Sequence, residues 1–353
     1  GPAAELAAQV QQIQAQFAEL ETKAQLSRVY QAIGDLDEHL LEYPLRLEKL
    51  RDRGYVHSGH LEDALEAVDD KWDAVRPQVE KTLQTHVQRL DRELEQVERQ
   101  IDRLQPKEAS VRLGESLLKT LTQRIDAVYS AVEGLYDGLS TELSGIGQTL
   151  YRLERILTLI EASPNLQMRS GEGPLAAVEA EWQRDGDEGP EGVLVLTDLR
   201  LLFEQREEVV TKRRFGLFKA ESEMLQELHI DVNVGEIEAV VAKEEGGFLG
   251  MGKDDILELV LAATAPVSRA RFHLKGQDSE DWAVLIRKAQ SGEVDAERAD
   301  AYADELAPLA ETAAAFPTAC PNCLAAVAPP ARGISSVTCE FCGAVITPQT
   351  APG

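Results

Sequence analysis

Up to Pro164 the apolar residues recur at steps of three and four. Leu118, Leu121, Ile125, Val128, Val132, Leu135 and Leu139 alternate the two steps. After one extra step of four to Leu143, the series resumes with Ile146, Leu150, Leu153, Leu157 and Ile160. This is the spacing of a coiled-coil seam with a stutter. It predicts one helix between Pro106 and Pro164, about 85 Å long at 1.5 Å per residue. A second seam runs Leu61, Leu65, Val68, Trp72, Val75, Val79, Leu83, then Leu90, Leu94, Val97, Ile101 and Leu104. Pro77 lies off that seam, where a kink is expected. A third begins Leu6, Val10, Ile13, Phe17, Leu20 and continues less regularly past Tyr30 and Ile33. The short break at Gln105-Pro106-Lys107 favours an antiparallel hairpin. Residues 3–164 are therefore expected to form an all-α antiparallel coiled coil of three helices. Its seams close either within one chain or between chains, and it serves as a rod that spaces or oligomerises.

The period then changes from 3.6 to 2. Ala177–Trp182, Val193–Thr197, Leu201–Phe203, Leu228–Val234, Ile237–Val241, Ile256–Ala262 and Ala270–Leu274 read as strands, separated by turn signals such as Asp185-Gly186-Asp187 and Gly246-Gly247. A helix from Ser279 to Ala289 follows, with Trp282, Leu285 and Ile286 on one face. Seven strands and a closing helix over 172–291 predict a small closed or nearly closed β-barrel. Residues 292–316, rich in Ala, Asp and Glu, read as an acidic tether, partly helical around Ala296 to Leu306.

The stretch Gly192-Val-Leu-Val-Leu-Thr-Asp-Leu-Arg-Leu-Leu-Phe203 resembles the second and third strands of pleckstrin-homology-like domains of the GRAM and bacterial kinds, with their Gly-x-Leu-x-Leu-Thr-x-x-Arg-Leu-x-Phe pattern. Ile230 to Val240 is similar to that family's next strand pair, and Asp281-Trp282 to the opening of its closing helix. The resemblance covers 172–291 and implies a platform for lipid head groups or proteins rather than an enzyme. Members that bind phosphoinositides carry basic residues around the first hairpin turn. Here Asp185, Asp187, Glu188 and Glu191 stand there and would repel a phosphate.

Cys320-Pro-Asn-Cys323 and Cys339-Glu-Phe-Cys342 are separated by fifteen residues. Two Cys-x2-Cys knuckles supply a tetrahedral four-sulfur set that suits one Zn²⁺ and leaves no coordination position for water. The expected ion is structural; a rubredoxin-like iron centre and paired disulfides are the alternatives. Residues 317–348 resemble a zinc ribbon. Gly343 follows the second knuckle, as the family favours, whereas Leu324 follows the first.

Charge narrows the picture. The 36 Lys and Arg face 62 Asp and Glu, a net charge of −26. Such a surface excludes a general phosphate footprint for nucleic acid, and between Ala319 and Pro348 the one base is Arg332. Two loops depart from the acidic background. Lys212, Arg213, Arg214, Phe215, Leu217 and Phe218 form one basic-apolar group, and Phe248, Leu249, Met251 and Lys253 a second on a glycine frame. They suit contact with a partner or an anionic membrane; the alternative is that the apolar side chains plug a barrel end. Gly247, Gly252 and Lys253 imitate a P-loop, but Asp254 stands where Ser or Thr should hold magnesium and a strand is expected next. His57-Ser-Gly-His60 reads as a solvated turn before a helix whose acids Glu62 and Asp63 suit its positive end. No acid–base pair or activated nucleophile emerges.

The opening Gly1-Pro2 looks like the remnant of a cleaved tag. Clustered reduced cysteines point to the cytoplasm. The sequence thus predicts a non-enzymatic cytoplasmic adaptor or scaffold, with protein partners on its barrel and ribbon and homo-oligomerisation through its helices. The alternative is a peripheral protein at the inner face of the membrane, polymerising through the helical domain and anchored by the barrel loops.

Overall fold

In the computed structural model the three apolar seams become five helices. The described residues are 2–186, 188–212, 221–246, 253–328, 330, 332, 334 and 336–349, without the side chains of 209–212 and 221–223. The helices are α1 (Pro2–Ala24), α2 (Ser27–Asp52), α3 (His60–Ile101), α4 (Glu108–Glu133) and α5 (Asp137–Glu161). The helix expected to run unbroken from Pro106 to Pro164 is interrupted at Gly134–Tyr136, just before the stutter. Gly134, a weak helix former, donates its amide to Ser130 O at 3.0 Å and ends α4, and Tyr136 turns inward to 4% exposure. A similar break separates α1 from α2, where Leu26 takes φ +54° and is fully buried. The left-handed backbone costs about 1–2 kcal/mol, and burying leucine contributes about 1.5–3 kcal/mol. By contrast, α3 continues through Pro77.

The chain divides into two compact units, residues 1–46 with 62–149 and residues 47–61 with 150–353. In the first, residues of all three apolar stripes are buried, among them Val10, Ile13, Phe17, Val68, Trp72, Val79, Leu90, Leu121, Ile125 and Val132. Polar contacts fix the pairings at the rims. Lys23 of α1 pairs with Asp126 of α4, Trp72 Nε1 of α3 donates to Asp37 of α2 at 2.8 Å, and Lys71 of α3 reaches Glu142 of α5 at 3.0 Å.

The second unit holds a seven-stranded antiparallel sheet: β1 (Pro174–Trp182), β2 (Glu191–Thr197), β3 (Arg200–Lys212), β4 (Glu221–Asn233), β5 (Ile237–Gly246), β6 (Lys253–Leu261) and β7 (Arg269–Leu274). The strand order is β4-β3-β2-β1-β7-β6-β5. Alternate residues point inward, as period-2 patterning demands. Ala176, Val178, Ala180, Trp182, Leu194, Leu196, Leu201, Phe203, Ile230, Leu257, Phe272 and Leu274 form the core. Helix α6 (Ser279–Ser291) covers it with Trp282, Ala283, Ile286 and Ala289. Asp278 caps α6 by accepting the Glu280 amide at 2.8 Å. Gln290 fastens its far end to Val234 O and Ile237 O at 3.0 and 2.7 Å, in the turn joining β4 to β5. Val193 and Val195, on the opposite face of β2, are buried as well. Part of that face is covered by the segment after α5, where the Asn165 amide donates to Glu204 of β3 at 3.0 Å.

Beyond α6 come a 3-10 turn (Glu293–Glu297), α7 (Asp300–Ala303), α8 (Leu306–Ala314) and a two-residue strand pair, β8 (Val337–Thr338) with β9 (Val345–Ile346). Within the stretch read as a tether, Val294, Arg298 and Ala299 are buried. Among the described residues no helix is long and apolar enough to cross a membrane.

Candidate metal centre

Each cysteine pair sits on a tight knuckle of the same construction. The Leu324 amide donates to Cys320 O at 2.9 Å and the Gly343 amide to Cys339 O at 2.8 Å; Cys320 and Cys339 in turn donate to Ala325 O and Ala344 O, both at 2.8 Å. Leu324 and Gly343 adopt the same left-handed backbone, φ +60° and +72°. The substitution of leucine for glycine therefore leaves the turn intact, at a cost of about 1–2 kcal/mol.

The knuckles bring all four Sγ atoms within 4.8 Å of one another. Cys320 and Cys342 are 3.7 Å apart and Cys323 and Cys339 3.6 Å. An ion with four sulfurs at about 2.3 Å requires sulfur–sulfur edges of about 3.8 Å, so the set fits a tetrahedral ion. The Cys323 and Asn322 amides face the Cys320 sulfur and hold its pKa below the usual thiol value. Asn322 Nδ2 lies 3.5 Å from Cys342 Sγ, and with the Ala344 amide it draws that thiol down to about 6. Cys323 goes the other way. The Ala325 amide lowers its pKa, but burial and the three neighbouring sulfurs outweigh that and push it up to about 12. Thiolates this close repel one another; a cation among them offsets that repulsion.

The residues of the Gly-x-Leu-x-Leu-Thr-x-x-Arg-Leu-x-Phe pattern build a second centre. Thr197 Oγ1 accepts the amides of Leu199 and Arg200 at 3.1 and 2.8 Å, closing the β2–β3 turn, and donates to Glu172 at 2.6 Å. Arg200 grips Glu172 with two bonds of 2.9 and 2.7 Å and reaches Asp231 at 2.8 Å. Gly192, the first residue of the pattern, lets β3 approach: a Cβ there would lie 2.0 Å from Glu204 O.

Asp198, in the same turn, is a buried carboxylate that sequence reasoning missed. It accepts the Gly173 amide at 3.0 Å, pairs with Arg298 and with Arg332 Nη2 at 2.8 Å, and lies 3.5 Å from His57 Nε2. Burial raises its pKa, but His57, the Gly173 amide and Arg332 outweigh that and hold the carboxyl below its ordinary value. His57, expected as a solvated turn residue, is 2% exposed. Its loop is built against the chain after α6, with the Gly59 amide on Glu297 O and the Ala299 amide on Val56 O, both at 2.9 Å. A signal was available: from Ser291 onward the chain has two bases, Arg298 and Arg332, amid eight acids, and both reach Asp198. Asp198, Asp295, Arg332, Glu236 and Phe341 line a cleft of 870 Å³.

Of the loop residues proposed for contact, Arg213, Arg214, Phe215, Leu217, Phe218, Phe248, Leu249 and Met251 lie outside the described residues, as does the side chain of Lys212. Lys253 opens strand β6 and pairs with the exposed Glu244, which places the residues after the imitation P-loop in a strand rather than a helix.

No protein-family model matches the chain, and no curated protein matches it. Distant structural similarity is found to solved DH/PH domains of p115-RhoGEF. One structure covers 80% of this chain and 98% of its own at 14% identity, with a TM-score of 0.25. A second, of the linker-DH/PH domains, covers 82% and 95% at 15% identity with a TM-score of 0.24. Likeness this slight carries no argument about activity.

Proposed function

We propose that the chain is a non-enzymatic cytoplasmic adaptor: a coiled-coil rod, a pleckstrin-homology-like barrel of the GRAM and bacterial kind, and a ribbon stabilised by one structural Zn²⁺. The single observation that carries this reading is the four-cysteine cage, whose geometry suits an ion with every coordination position taken by sulfur. Such an ion shapes a surface and performs no hydrolysis. Support for the barrel comes from the order β4-β3-β2-β1-β7-β6-β5 with α6 closing the core. The ribbon offers Leu324, Phe341 and Val345, 80%, 77% and 68% exposed, beside the knuckles, and apolar groups on so small a module suit docking to a protein. Sedimentation of the intact chain with neutral and anionic liposomes tests the reading against the membrane alternative. The adaptor leaves equal, negligible amounts in both pellets; selective pelleting with anionic lipid favours the peripheral protein anchored by its barrel loops.

A further inference from the structure

We propose that Arg332, between the two knuckles, is a latch through which occupancy of the sulfur cage and docking of the ribbon on the sheet reinforce each other. The inference rests on reading the cage as a zinc site. Arg332 lies midway along the fifteen residues that separate Cys323 from Cys339. Its guanidinium bridges two carboxylates of the sheet side, Nη2 to Asp198 at 2.8 Å and Nη1 to Asp295 at 2.7 Å, and its side chain is 13% exposed. Asp198 is fully buried in the β2–β3 turn, and Asp295 belongs to the 3-10 turn after α6. The ribbon thus inserts its one arginine into a receptor that the rest of the unit has prepared.

The cage holds Cys323 and Cys339, which flank Arg332 in the chain. The β8–β9 pair is two residues long, and the ribbon's buried cluster is Phe316, Cys320, Cys339 and Ile346, half of it metal-site cysteine. An ion that joins Cys323 to Cys339 ties the chain on both sides of Arg332 and so lowers the entropy lost when Arg332 docks. By linkage, docked Arg332 favours the closed cage by the same factor. Couplings of this kind are about 5–150-fold.

The test is competition for zinc between the intact chain and a chromophoric chelator at equilibrium. Arg332→Gln, and independently Asp295→Asn from the sheet side, should weaken zinc binding by about 5–150-fold. Arg287→Gln, an exposed arginine on α6, should leave it within about two-fold, which separates the latch from general electrostatics. Hydrogen exchange supplies the reciprocal readout. Removing zinc from the natural chain should speed exchange at Asp198 and Leu199 and leave Val193–Leu196 unchanged. Zinc affinity within about two-fold of the natural chain for both latch variants, or turn amides indifferent to zinc removal, overturns the latch and leaves the zinc site standing. A natural chain that takes up no zinc overturns the zinc reading itself.

Discussion

Replacing Arg200 with methionine isolates the network that the Thr-x-x-Arg turn builds. The guanidinium is 5% exposed and makes two bonds to Glu172, whose side chain is fully buried, one to Asp231 and one to Gln167 O at 2.8 Å. Methionine matches the volume and supplies no donor, so Glu172 is left buried with Thr197 Oγ1 at 2.6 Å and the Arg169 amide at 2.7 Å as partners. Removing one member of a buried pair costs about 3–5 kcal/mol, a large share of the 5–15 kcal/mol that typically holds a domain together. Replacing Arg200 and Glu172 together, both by methionine, removes the stranded charge. The double variant should therefore recover to within about 1–2 kcal/mol of the natural chain. Because two units unfold in this protein, the assay must resolve them. Hydrogen exchange through a urea series, read on the peptide spanning β2 and β3, does so. An Arg200→Met loss below about 1 kcal/mol, the level of an exposed ion pair, would refute the reasoning, as would a double variant no better than the single one.

Other expectations follow from single positions. Gly192→Ala puts a Cβ 2.0 Å from Glu204 O, so β2 and β3 must separate. The same exchange assay should show a loss of about 1–3 kcal/mol, and unchanged exchange would contradict the close approach. Burial is the main cause that raises the Glu204 pKa, and Asn165 only partly offsets it. A carboxyl with a raised folded pKa favours the folded state below its unfolded pKa, about 4.3, and that contribution is lost as pH rises through the folded value. Glu204→Gln should accordingly raise the melting temperature relative to the natural chain at pH 7 and lose that advantage near pH 4; an equal difference at both pH values would rule this out. Cys339→Ser removes a buried ligand, and zinc content should fall while exchange within the strands β1–β7, outside the Asp198–Leu199 turn, stays unchanged; retained zinc would contradict four-sulfur ligation.

The sequence revealed elements more readily than breaks and long-range pairs. Seams read from Leu61 to Ile101 and from Leu118 to Ile160 are largely buried, because a three-and-four repeat reports directly on a buried face. The interruption at Gly134–Tyr136 leaves no mark in the repeat, since a glycine and a stutter are each tolerated inside a helix. All seven strands lie where the period changes, with longer bounds for β3, β4 and β5, whose extensions include the acidic runs Glu207-Glu208 and Glu244-Glu245 and the polar pair Gln226-Glu227, which interrupt the apolar alternation. The cysteine cage was legible because its ligands are spaced locally. Asp198, His57, Arg298 and Arg332 were not, since they come from four separate stretches of chain and no periodicity links them. Thr197 and Arg200 are legible as part of a strand pattern, whereas their physical role, closing a turn over a buried carboxylate, depends on Glu172, twenty residues before the pattern begins.

X-ray absorption at the zinc edge, on intact chain purified without added metal, bears most directly on the claim that the cage holds a closed, architectural ion. One zinc per chain with four sulfur neighbours at about 2.3 Å and no oxygen in its sphere is the expected spectrum. A chain without zinc, or a zinc whose sphere includes water, would contradict it.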